Sequence, residues 1–264
     1  MLRKGDLTQG GITGTLLHFT LPMMVGSFLQ QCYNIADTLI VGQCIGAGAL
    51  AAVGSAYTLM VFLISVLLGL AMGSGTVFSL HYGAGNHVAL RRSIFSSFVL
   101  IGIVTLILNV AVFIWIDPIL RLLQVPQDIY GMMRSYLWII FCGIVFTFIY
   151  NFYASLLRAV GDSVTPLWFL AVSVVLNIAL DLFFILQLDW GIQGAAAATV
   201  FAQGVAALGI IIYTYRRRPE LRWHHEDMCF DRTCLKEIAS FSTLTCVQQS
   251  VMNLGILMIQ GLVN

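Results

Sequence analysis

The chain has 264 residues, of which 59% are hydrophobic and 9% charged, and it carries a formal net charge of +1. Soluble domains carry about 25% charged residues, so this composition excludes a soluble globular fold, and the near-neutral balance excludes a general attraction to nucleic acid. Apolar runs of about 20 residues, enough to cross a hydrocarbon core of about 30 Å, recur along the whole chain. They predict an all-α polytopic membrane protein with six complete spans and an incomplete seventh.

Span one runs from about Gly14 to Gly42 and contains Pro22, which removes a helix hydrogen bond and predicts a kink. The GQCIGAGALAAVG stretch follows as a short outer turn. Span two, about Leu50 to Tyr82, includes GLAMGSG, whose small residues permit close helix contact, and ends at the glycine-rich HYGAGN turn. Span three covers about Ile94 to Ile116 and is expected to end at Asp117-Pro118. The connection beyond it contains ILRLLQV, which reads as a short interfacial helix. Span four, about Gly131 to Leu156, leads into the polar RAVGDSVTP loop. Spans five, about Thr165 to Leu186, and six, about Gly194 to Tyr215, are joined by the tight QLDWGIQG turn.

Residues 1–215 therefore read as an N-terminal six-helix lobe, 216–235 as a cytoplasmic linker, and 236–264 as the first helix of a second lobe. Placing Phe241 on Phe19 aligns ASFSTLTCVQQSVMNLGILMIQGLVN with LHFTLPMMVGSFLQQCYNIADTLIVG. This internal repeat has few identities. It implies a second six-span bundle that begins at Lys236, the rest of which is missing, so the expected partner is a C-terminal lobe or a second chain.

Basic residues give the orientation. Arg3, Lys4, Arg91, Arg92, Arg158, Arg216, Arg217, Arg218, Arg222, Arg232 and Lys236 fall in the N-terminal segment or in alternate loops, whereas the other side receives Arg121 and Arg134. By the positive-inside rule the N-terminus is cytoplasmic and the chain is a multi-pass protein of the cytoplasmic membrane. Met1 to Gly14 is too polar for a secretory signal. Cys32, Cys44, Cys142, Cys229, Cys234 and Cys246 contain no paired outer set and imply no disulfide framework. Cys229 and Cys234 with His224 and His225 fit no standard zinc knuckle.

Asp37 and Asp181 carry the chemistry. Each lies in an apolar run otherwise free of charge, and an acid at membrane depth is costly enough to mark a functional site. Asp37 is about five residues, or roughly 8 Å, inside the outer end of span one, and Asp181 lies at a similar depth in span five. Thr199 of span six and Tyr136 of span four reach the same level. Asn177 shares a helix face with Asp181, as Tyr33 does with Asp37. Such an oxygen-rich, partly anionic layer suits sodium or a proton as coupling ion. No other cofactor and no enzymatic activity are implied. Gln30 and Asn34 extend the polar face of span one toward a water-filled cavity, with Asn151 a weaker contributor. Met23, Met24, Met60 and Phe62 read as lipid-facing or packing residues.

TLPMMVGSFLQQCYNIADTLIVG in span one, HYGAGN after span two, ASLLRAVGDSVTP after span four, and NIALD with GIQGAAAATVFAQ across spans five and six resemble the MATE family of multidrug and toxic compound extrusion transporters. The resemblance covers essentially the whole chain. It implies twelve spans in two six-helix lobes, alternating access, and export of drugs or organic cations against inward sodium or protons. By motif, Asp37, Asn177, Asp181 and Thr199, with the backbone carbonyl of Ala195, resemble the cation site of the amino-terminal lobe. Gln30, Tyr33, Tyr136 and Asn151 resemble residues around its cavity, and Pro22 resembles a proline that bends span one. The seventh span lacks that proline. Two alternatives fit less well. A lipid-linked oligosaccharide flippase favours basic residues deep in the central cavity, and none is found there. An intramembrane aspartyl protease needs Gly-x-Gly-Asp, whereas the similar Ala159-Val160-Gly161-Asp162 lies in a loop.

Overall fold

In lipid every backbone N–H and C=O must find its partner within the segment, so apolar runs of this length become helices. The computed structural model describes residues 12–223 and 232–263, and every regular element in them is helical. In chain order these are α1 (Ile12–Cys44), α2 (Ala47–Gly83), α3 (His87–Leu122), α4 (Gln127–Cys142), α5 (Ile144–Ala159), α6 (Val164–Leu182), α7 (Gly191–Arg217) and α8 (Arg232–Val263). A π-helical turn, Phe183–Gln187, continues α6, and a 3-10 turn, Pro219–Leu221, follows α7.

By length and composition, α2, α3, α7 and α6 with its π turn each suffice to cross a membrane, and α4 with α5 makes a fifth, broken span. The 33 residues of α1 span about 50 Å at 1.5 Å per residue, but Gln30, Gln31, Asn34 and Asp37 dilute its apolar content. The fold is thus all-α and polytopic. Its outer surface is apolar, with Phe28, Leu106, Ile114, Trp168, Val175 and Leu208 exposed, as a lipid-facing surface requires.

Helices α2 and α7 form the inside of the bundle. The former packs against α1, α3, α4, α5 and α8, and the latter against α1, α4, α5 and α6. Small residues allow this: Ala195, Ala196, Ala198, Ala202, Ala206 and Ala207 of α7 are buried, so neighbouring backbones approach closely. The GLAMGSG run acts in the same way toward α8. A Cβ on Gly73 would meet Ser242 N at 2.6 Å, and one on Gly69 would meet Cys246 Sγ at 2.6 Å. Ser242 donates to Leu70 O (3.3 Å) across this seam and Cys246 to Val66 O (3.5 Å). His81 and Glu237 pair at its end (3.5 Å).

Three local features differ from the sequence reading. Span four is not one helix: α4 and α5 meet at Gly143 with a 47° bend. Asp117-Pro118 does not end span three, because proline adopts a helical φ and removes one hydrogen bond near the helix terminus. The ILRLLQV stretch instead continues α3 to Leu122, with Leu120 fully buried, and the left-handed Gln124 (φ 52) turns the chain. The segment after α7 is partly docked: Leu221 is buried and the Trp223 ring packs on Phe95 (6.1 Å) and Phe98 (5.4 Å). Arg222 hydrogen-bonds the Tyr215 carbonyl, and Arg218 lies 3.5 Å from both Asp162 and Glu220.

A candidate cation site in the helix bundle

Asp37 of α1 and Asp181 of α6 are brought face to face, close enough to be hydrogen-bonded carboxyls. Asp181 is fully buried and Asp37 nearly so. The i, i+4 spacing of Asn177 and Asp181 puts both on the face of α6 that meets α7. With the Asn177 amide turned to satisfy both its ends, Nδ2 donates to Asp181 Oδ2 (2.9 Å). Its oxygen then accepts from the Thr199 hydroxyl (3.3 Å) and the Thr199 N–H (3.1 Å). The Thr199 hydroxyl also lies 3.2 Å from the Tyr33 hydroxyl. One connected set of polar groups therefore runs from α1 through α7 to α6. Tyr136 of α4 is buried within electrostatic range of Asp37, Tyr33 and Asp181.

The layer is polar but incompletely satisfied. Asp37 Oδ1 and Asp181 Oδ1 are buried and have no hydrogen-bond partner. Two bare carboxylates at about 4 Å repel by roughly 4 kcal/mol at an effective dielectric of about 20, so the pair calls for a proton or a small cation between them. The neighbouring oxygens of Asn177, Thr199 and Tyr33 have the hard character sodium prefers. Ala195 is fully buried one turn before Thr199 on α7. Among the described residues no group of three His, Cys, Asp or Glu is placed to hold a metal, so sodium would rest on amide and hydroxyl oxygens beside the two acids.

Other predicted residues stand apart from this layer. Gln30 is exposed and the Asn34 amide donates to Gln31 (3.2 Å). Asn151 donates to the Thr147 carbonyl of its own helix (2.8 Å). Pro22 lies inside the continuous helix α1. Asp162 accepts from the Thr165 N–H (3.0 Å) and hydroxyl (2.9 Å), and so caps α6. Cys234 is buried beside Ser93 (3.5 Å), while Cys229, His224 and His225 lie outside the described residues.

Sequence reasoning missed two polar features nearby, the Thr147–Gln203 pair and the π turn, and reads Asn109 of span three as a structural residue. Thr147 hydrogen-bonds Gln203, one turn beyond Thr199. Asn109 donates to the Phe141 carbonyl beside the break (2.7 Å). The π turn begins two residues after Asp181, a placement common at functional sites.

A polytopic helix bundle holding two acids at depth is a membrane protein with a candidate functional site inside the bundle. The MatE family profile matches residues 22–183, and the chain belongs to that family. It is 36% identical over 217 residues to the "Probable multidrug resistance protein YpnP" of Bacillus subtilis (strain 168), covering 82% of this chain and 49% of that protein. It is 30% identical over 202 residues to the "Multidrug export protein MepA" of Staphylococcus aureus (strain NCTC 8325 / PS 47), covering 75% and 44%. The chain spans about half the length of the curated relatives it matches. A solved structure described as MATE in complex with MaL6 superposes with a TM-score of 0.92 at 24% identity, covering 99% of this chain and 58% of that one. An outward-facing multidrug resistance MATE family transporter gives 0.90 at 24%, covering 97% and 57%. At that identity the likeness concerns the fold.

Proposed function

We propose that this chain forms the ion-coupling lobe of an antiporter that exports drugs or xenobiotic organic cations across the cytoplasmic membrane. Residues 1–215 form the lobe, with the N-terminus cytoplasmic. Asp37 and Asp181, with Asn177, Thr199 and the Ala195 carbonyl, hold the sodium or proton whose inward movement drives export. The observation that carries this reading is the pair of buried carboxyls from separate helices, each with an unpartnered oxygen. The names of the relatives add the substrate class. Gln30, Tyr33, Asn34, Tyr136 and Asn151 belong to the cavity wall, and Pro22 gives α1 a place to bend.

Charge balance supplies the mechanism. With a cation between them the two acids and their oxygen ligands draw α1, α6 and α7 together; when it leaves, repulsion favours a different packing of α1. The organic cation competes for the same negative field, so ion and substrate exchange rather than travel together. A second six-helix body, in the same polypeptide or a partner chain, completes the cleft. Ethidium transport in everted vesicles bearing this chain extended to two lobes, driven separately by a sodium or a proton gradient, tests this. Gradient-driven transport that Asp37→Asn abolishes is expected, and undiminished transport in that variant overturns the assignment.

A further inference from the structure

We propose that Gly143 is a pivot through which occupancy of the acid layer is passed to the outer half of the fourth span, with Val200 as its stop and Asn109 as its brace. This rests on the reading of Asp37 and Asp181 as the cation site.

The break divides two jobs. On its outer side α4 carries Tyr136, buried within electrostatic range of Asp37, Tyr33 and Asp181. On its inner side α5 carries Thr147, bonded to Gln203 of α7. A change in the charge of the acids is therefore felt on α4 at Tyr136, while α5 keeps its own side-chain bond to α7, on which both helices pack.

The joint between them is built for bending. Around Gly143 i+3 bonds appear, Gly143 N to Ile140 O (3.0 Å) beside its i+4 bond to Ile139 O (3.3 Å), and Phe146 N to Gly143 O (2.9 Å), the tighter winding that often marks a hinge. The Phe141 carbonyl is held from outside the span by Asn109. A cavity of about 20 Å³ lies against the joint, lined by Ile140 and Phe141 before it, Ile144 and Thr147 after it, and Thr199 and Gln203 of α7. Free volume beside a bend is what a packed core otherwise denies to motion. Val200 lines the same cavity, yet its side chain leaves Gly143 no room for a Cβ. A Cβ on Gly143 would lie 2.6 Å from Val200 Cγ1 and 3.0 Å from its Cβ. Val200 follows Thr199, so the stop moves with a member of the layer.

Trp138, two residues past Tyr136, reports on α4 because its ring packs on Phe113 at 4.5 Å. The test uses the 264-residue chain in nanodiscs with Trp115, Trp168, Trp190 and Trp223 changed to Phe, and follows Trp138 emission against pH and against sodium. The parent is expected to titrate and Asp37→Asn/Asp181→Asn to be silent. Gly143→Ala is expected to move the midpoint by about tenfold in the ion, the scale of an overpacking penalty. Adding Val200→Ala is expected to restore it. If the parent titrates, the Asn variant is silent and Gly143→Ala behaves as parent, the pivot is overturned and the site reading stands. If the Asn variant still titrates, or a silent parent takes up no radiolabelled sodium and no protons, the site reading fails and the pivot with it; a silent parent that still binds the ion overturns the pivot alone. Should Gly143→Ala not assemble, Val200→Ala alone removes the stop and is expected to enlarge the response; an unchanged response overturns the proposal.

Discussion

The cost of an unpartnered buried oxygen sets what each member of the layer contributes. Thr199 joins two helices to its own, through Asn177 and Tyr33. Thr199→Val keeps the shape and removes the hydroxyl, leaving the Asn177 oxygen with the backbone N–H alone. The expected loss is about 1–3 kcal/mol of stability, measured as a lowered unfolding midpoint in detergent. Asp37→Asn acts on charge instead: the amide preserves volume but leaves one negative group for the coupling ion. In a form carrying both lobes, gradient-driven ethidium transport should fall to background while membrane insertion, followed by fractionation, is unchanged. The two acids were legible in the sequence because a charge in an apolar run is anomalous whatever the fold. Thr147 and Gln203 were not, because lone polar residues in spans are common and the pairing exists only once α5 and α7 are side by side.

Helices were legible for a similar reason, and their interruptions were not. An apolar run states that a helix crosses, whereas glycine is frequent in membrane helices, so nothing in FCGIVF separates a 47° break from a continuous turn. The segment after α7 reads as linker because arginine, proline and glutamate dominate it, yet Leu221 and Trp223 are its anchors. Trp223→Ala removes a ring that packs on Phe95 and Phe98. It is expected to cost about 2–3 kcal/mol, near the lower end for a buried aromatic, again as a lowered unfolding midpoint. Conversely, the glycines of GLAMGSG announced close packing: Gly69 and Gly73 admit α8, and Gly75 admits Ser155 of α5. Gly73→Val drives a branched side chain into the Ser242 backbone. The seam should part and expose Cys246, which is partly buried against Val66. In a chain with the other cysteines changed to serine, alkylation of Cys246 should accelerate by about tenfold, an opening eased by roughly 1.4 kcal/mol.

At the scale of the molecule, one lobe supplies one wall. The acids lie among α1, α6 and α7, whereas α8 packs mainly on α2 and α3. Alternating access needs two bodies that move against each other around a fixed site. The apolar surface of α1, with Leu17, Leu21, Met24 and Phe28 exposed, is where lipid or a second body must lie. Transport should therefore require a second six-helix body. Everted vesicles bearing this chain alone are compared with vesicles in which a second lobe is fused after α8, each under a sodium or a proton gradient. Ethidium movement in the fused form, under one gradient, is the expected result and identifies the ion. Equal transport by the chain alone would mean that copies pair across α1, and cross-linking of the membrane-embedded chain would then recover dimers in proportion to activity.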